Sequence, residues 1–114
     1  MSDLLEKISV IAERASREFD GSAYGQSICR LHKQGQVSNR LKYCEGRDFV
    51  ARKIQQAIQK KQTIGQIYQT LDVLEQKNRN IKSSLVLTSS DWQSYAAGAL
   101  SMVEEIRAIV RDDI

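Results

Sequence analysis

The chain has 114 residues, of which 41% are apolar and 27% charged, with a formal net charge of +3. That balance suits one globular domain over residues 1–114 and excludes a disordered polyelectrolyte. Proline is absent, so long uninterrupted helices are permitted and glycine must do most of the punctuation.

The first helix is expected to begin at Ser2 or Asp3. Leu5, Ile8, Ala12, Ala15 and Phe19 then recur at spacings of three and four and form one apolar stripe. Asp20-Gly21 reads as its stop. Gly21, Gly25, Gly35 and Gly46 divide residues 21–46 into pieces that predict loops with one or two short helices. A hairpin turning at Gln34-Gly35 is the other reading there, disfavoured by the scarcity of β-branched residues. A helical reading puts Val37, Leu41 and Cys44 on one face.

The next helix is expected from about Asp48 to Lys61, with Val50, Ile54, Ala57 and Ile58 inward. Thr63-Ile64-Gly65-Gln66 has the form of a capping box and opens another helix. Its Ile64, Ile67, Leu71, Leu74, Asn78, Ile81 and Leu85 fall on a heptad. Ser90-Asp91-Trp92-Gln93 is a second capping box. The last helix follows, with a wide inward stripe from Trp92, Tyr95, Ala96 and Ala99 through Met102, Val103, Ile106, Ile109 and Val110. Ala96-Ala97-Gly98-Ala99 is a small-residue patch that lets another helix approach closely. The expected fold is therefore all-α, a four- or five-helix antiparallel bundle with the first helix and the last two supplying most of the core.

No apolar run approaches the roughly 18 residues that cross a bilayer, and Met1 to Glu6 carries acids where a signal peptide has bases. Without an export signal, Cys29 and Cys44 are expected as reduced thiols in a cytoplasmic protein that makes no membrane contact.

Charge is unevenly spread. Residues 1–20 hold five acids against three bases and residues 91–114 five against two, whereas residues 30–61 hold nine bases against Glu45 and Asp48. Those nine are Arg30, Lys33, Arg40, Lys42, Arg47, Arg52, Lys53, Lys60 and Lys61. They either meet phosphates, with Tyr24, Tyr43 and Phe49 as stacking surfaces, or are neutralised by the acids of the first and last helices.

Few residues carry chemistry. Cys29 and His32, with Cys44 fifteen residues on, offer three ligands where a structural zinc site wants four, so no metal is expected. One histidine in the chain leaves little for nucleophilic catalysis. Glu104-Glu105 and Asp112-Asp113 point about 100° apart on a helix. Neither an enzyme nor a cofactor is expected.

Ile64-Gly65-Gln66-Ile67-Tyr68-Gln69-Thr70-Leu71-Asp72-Val73-Leu74-Glu75 resembles the recognition helix of PadR-like winged-helix regulators, as does Leu87-Thr88 before a C-terminal helix. The resemblance covers barely a dozen residues and lacks room for the two-stranded wing. It is read as shared helix periodicity, and no functional residue is carried over from it.

The expected function is a non-enzymatic helical adaptor or regulator acting through protein–protein contacts as a homodimer. Ile64, Ile67, Leu71, Leu74, Asn78, Trp92, Ala99 and Ile106 form its interface, and Asn78 pairs with its equivalent across a two-fold axis. The alternative is a nucleic-acid-binding regulator that uses the basic segment 30–61.

Overall fold

The computed structural model describes residues 2–23, 39–83 and 90–113, which form four α-helices: α1 (Ser2–Ala23), α2 (Asn39–Gln59), α3 (Ile64–Ser83) and α4 (Ser90–Asp113). Among the described residues there is no strand. The fold is an all-α bundle, as the periodicity predicts.

Two boundaries differ from the expectation. α1 continues through Gly21 to Ala23, because one glycine costs a helix only about 1 kcal/mol and does not end it alone. α2 begins at Asn39, not Asp48, and carries Gly46 in its interior. The missing Cβ there serves packing and not punctuation. Val37 and the proposed turn at Gln34-Gly35 lie outside the described residues.

The α2–α3 turn is built by local hydrogen bonds. The Lys61 N–H donates to the Ile58 carbonyl at 2.9 Å and the Gln62 N–H to the Ala57 carbonyl at 3.1 Å. This is the Schellman arrangement that satisfies the last carbonyls of a helix. Lys61 occupies its left-handed position with φ 60°. The predicted capping box then forms: the Thr63 N–H donates to Gln66 Oε1 at 2.9 Å, and the Gln66 N–H to Thr63 Oγ1 at 3.1 Å. In the second capping box the Ser90 side chain lies outside the described residues. Gln93 reaches α3, donating from Nε2 to the Ile81 carbonyl at 3.3 Å.

The helices pair as two antiparallel hairpins. Ser16 meets Asp48 and Ser9 meets Gln55, so α1 and α2 run in opposite directions. Arg107 meets Asp72 and Glu75 while Gln93 meets Ile81, so α3 and α4 do the same. The broadest contact joins the hairpins through α2 and α4; α2 and α3 touch little.

The core gathers Leu4, Ile8, Ala12 and Ala15 of α1 and Val50, Ala51, Ile54, Ala57 and Ile58 of α2. α3 adds Ile67, Leu71 and Leu74, and α4 adds Ala99, Met102, Val103, Ile106 and Val110. The inward residues expected of α2 are therefore inward, but α2 is the central helix and α3 a peripheral one. In α1, Leu4 is fully buried, while Leu5 and Phe19 lie half-buried beside the stripe.

Candidate protein-interaction surface

α2 and α4 approach so closely near Gly46 and Gly98 that a Cβ on either would collide with the other helix's backbone. Only small residues fit there, and Ala96 and Ala99 are fully buried beside them. An indole does not fit. Trp92, expected to face inward, sits at the rim of this contact and is 46% exposed.

An aromatic cluster results. The Trp92 ring lies edge-on to Tyr95 with centroids 5.4 Å apart, and Tyr95 lies 6.4 Å from Phe49, which is 39% exposed. Two lysines cap the rings: Lys42 Nζ stands 4.8 Å from the Trp92 centroid and Lys53 Nζ 5.6 Å from that of Phe49. Lys42 also stands 3.3 Å from Glu45 Oε2, a buried oxygen held by charge without a formed hydrogen bond. Burial pushes the Tyr95 phenol up from its ordinary pKa, and the Glu45 charge adds to the shift. Glu45, Asp48, Arg52, Lys53 and Gln56 complete a shallow groove of 340 Å³ beside Phe49 and Tyr95.

The described bases diverge from one another. Arg47 turns to α4, donating to Ser101 Oγ at 2.8 Å and Glu105 Oε2 at 2.7 Å. Burial works against its charge, but the Glu105 carboxylate outweighs this and raises its pKa. Arg52 donates to Asp48 Oδ1 of its own helix at 2.9 Å and reaches α1 by donating to Ser16 Oγ at 3.0 Å. Lys42 and Lys53 lie on the aromatic cluster. Arg40, Lys60 and Lys61 are exposed; Arg30 and Lys33 lie outside the described residues. The seven described bases thus do not gather on one face, because successive residues of a helix look in different directions and three of these bases find carboxylates at home.

The heptad residues are also placed differently from the expectation. Ile67, Leu71, Leu74, Asn78, Ala99 and Ile106 are buried in this chain's own core and Ile64 is half-buried, because α4 lies along the α3 stripe. Asn78 Nδ2 donates to the Leu74 carbonyl of its own helix at 2.8 Å, while its Oδ1 is buried without a partner. Of the eight interface residues, Trp92 is the one the fold leaves exposed. Phe49 is visible in the sequence as an aromatic in a charged segment, but its union with Tyr95 and Trp92 depends on how α2 crosses α4.

Cys44 is buried on α2, whereas Cys29 and His32 lie outside the described residues. Among the described residues no three His, Cys, Asp or Glu side chains gather as metal ligands. Among the described residues no helix is long and apolar enough to cross a membrane.

The fold and this surface define an all-α helical bundle with an exposed aromatic patch. The chain matches no family model, no curated protein and no solved structure.

Proposed function

We propose that the protein is a non-enzymatic helical adaptor that acts through protein–protein contacts as a homodimer, and that the Phe49–Tyr95–Trp92 cluster is its contact surface for partners. The observation that carries this reading is the exposure of Trp92 and Phe49 together on one aromatic cluster with Tyr95; Val10, Tyr43 and Val73 are the other large apolar side chains exposed among the described residues. Tryptophan and tyrosine dominate binding energy at protein interfaces because they bury much area at little conformational cost. A nucleic-acid role has less support: Arg47, Arg52 and Lys42 are engaged within the chain, and lysines already cover the ring faces on which bases would stack.

A photo-crosslinking residue at position 49 tests the surface in living cells. Protein adducts from position 49, absent from a crosslinker placed at exposed Gln69, support the reading. Nucleic-acid adducts, or equal yields from the two positions, oppose it.

A further inference from the structure

The α2–α3 turn is unusual in its residues. The left-handed position of a Schellman turn normally takes glycine, because a Cβ there crowds the following carbonyl. Here it holds Lys61 at φ 60°. Gln59, Lys60, Lys61 and Gln62 are all good helix formers, with neither glycine nor proline among them. From Gln59 to Gln62 the turn is therefore made from residues that prefer to continue as helix, and the weaker helix formers, Thr63 and Gly65, come only after it. It also joins two helices that touch each other little, while the main contact of the fold lies between α2 and α4.

From this geometry we propose that the turn is a hinge for exchange between two copies of the chain. In the second form, α2 and α3 run on as one helix through residues 60–63. The α3–α4 hairpin of each copy then packs against the α1–α2 hairpin of the other. Contacts inside each hairpin are kept, and the α2–α4 contact re-forms between copies, with Arg47 meeting the partner's Glu105. What is lost is the Schellman turn, the Thr63–Gln66 capping pair and the slight α2–α3 contact. Helical hydrogen bonds and relief of the Lys61 backbone are gained in exchange. Short turns under strain favour such exchange.

The inference rests on the homodimer reading above and names the form of that dimer. Three changes test it in chains refolded from urea. Lys61→Gly relieves both turns in the separate copies and should raise the dimer Kd about thirtyfold or more. Thr63→Ala removes the cap that holds the turn and should lower it about tenfold. The decisive test mixes Arg47→Glu with Glu105→Arg. Each variant alone sets like charges together, whereas exchange restores opposite charges at both contacts. A one-to-one mixed dimer that melts higher than either variant supports the hinge. If the wild type is a dimer that Lys61→Gly does not weaken and mixing yields no such species, the exchange is refuted while the homodimer stands. A wild type that stays monomeric at the highest attainable concentration after refolding overturns both. Should neither charge variant fold alone or mixed, the Lys61→Gly shift decides by its presence or absence.

Discussion

Gly46 lies against the backbone of α4 as Gly98 lies against the backbone of α2. A Cβ on Gly46 would stand 2.1 Å from the Tyr95 carbonyl oxygen, and one on Gly98 2.0 Å from that of Tyr43. Backbone cannot swing aside as a flexible side chain does, so the whole α2–α4 contact would have to open. Gly46→Ala and Gly98→Ala should therefore each destabilise by at least about 2 kcal/mol, despite the better helix propensity of alanine. Gly65 is the control. Its nearest neighbour would be Thr63 Oγ1 at 3.9 Å, so Gly65→Ala should be neutral or stabilising by up to about 1 kcal/mol. Urea midpoints compare the three, and equal shifts would show that the crossing is looser than described.

The Arg47–Glu105 pair spans the same contact at 2.7 Å, with side chains 15% and 37% exposed. A partly covered pair with a second hydrogen bond to Ser101 should be coupled by about 1 kcal/mol in a double-mutant cycle of Arg47→Ala and Glu105→Ala. Removing only Glu105 leaves the better-buried guanidinium without its carboxylate and should cost more than the coupling itself. Additive single effects would show that the pair contributes nothing.

Core and surface on the α3–α4 hairpin should separate clearly. Leu71 and Ile106 are fully buried, so replacement of either by alanine should cost about 2–5 kcal/mol through lost burial and a residual cavity. Gln69→Ala should cost under about 0.5 kcal/mol. Arg107, by periodicity a surface residue, reaches back to Asp72 and Glu75 of α3. Its alanine variant should lose more than Gln69→Ala, about 1 kcal/mol. Thermal or urea unfolding ranks the four variants.

The same bridge makes part of the stability depend on pH. The Arg107 hydrogen bond, more than the nearby charges, holds the Glu75 carboxyl below its ordinary pKa. A carboxylate lowered on folding contributes fully above its unfolded pKa, about 4.3. That contribution is lost as pH falls through the folded value. Wild type should therefore lose more stability between about pH 5 and pH 3 than Arg107→Ala does. Parallel pH profiles of the urea midpoint for the two proteins would refute the linkage.

Helices were legible in the sequence wherever apolar residues recur at three and four, as at Val50, Ile54, Ala57 and Ile58 or from Met102 to Val110. That spacing alone fixes which face must leave water. The Thr63–Gln66 capping box was equally legible, because both partners lie within one turn of chain. Less visible was what each face would meet. The heptad through Leu71 and Asn78 calls for a neighbour, and periodicity is silent on whether that neighbour is a second copy or the chain's own α4. Gly46 looked like punctuation because a glycine is the same letter in a turn and at a helix crossing; only the backbone of α4 beside it separates the two. The basic segment 30–61 looked like one feature because sequence adds charges along a line. Tertiary structure sends Arg52 to Ser16 of α1, and Arg47 and Lys42 to Glu105 and Trp92 at separate places along α4, since charges on a helix diverge by about 100° per residue.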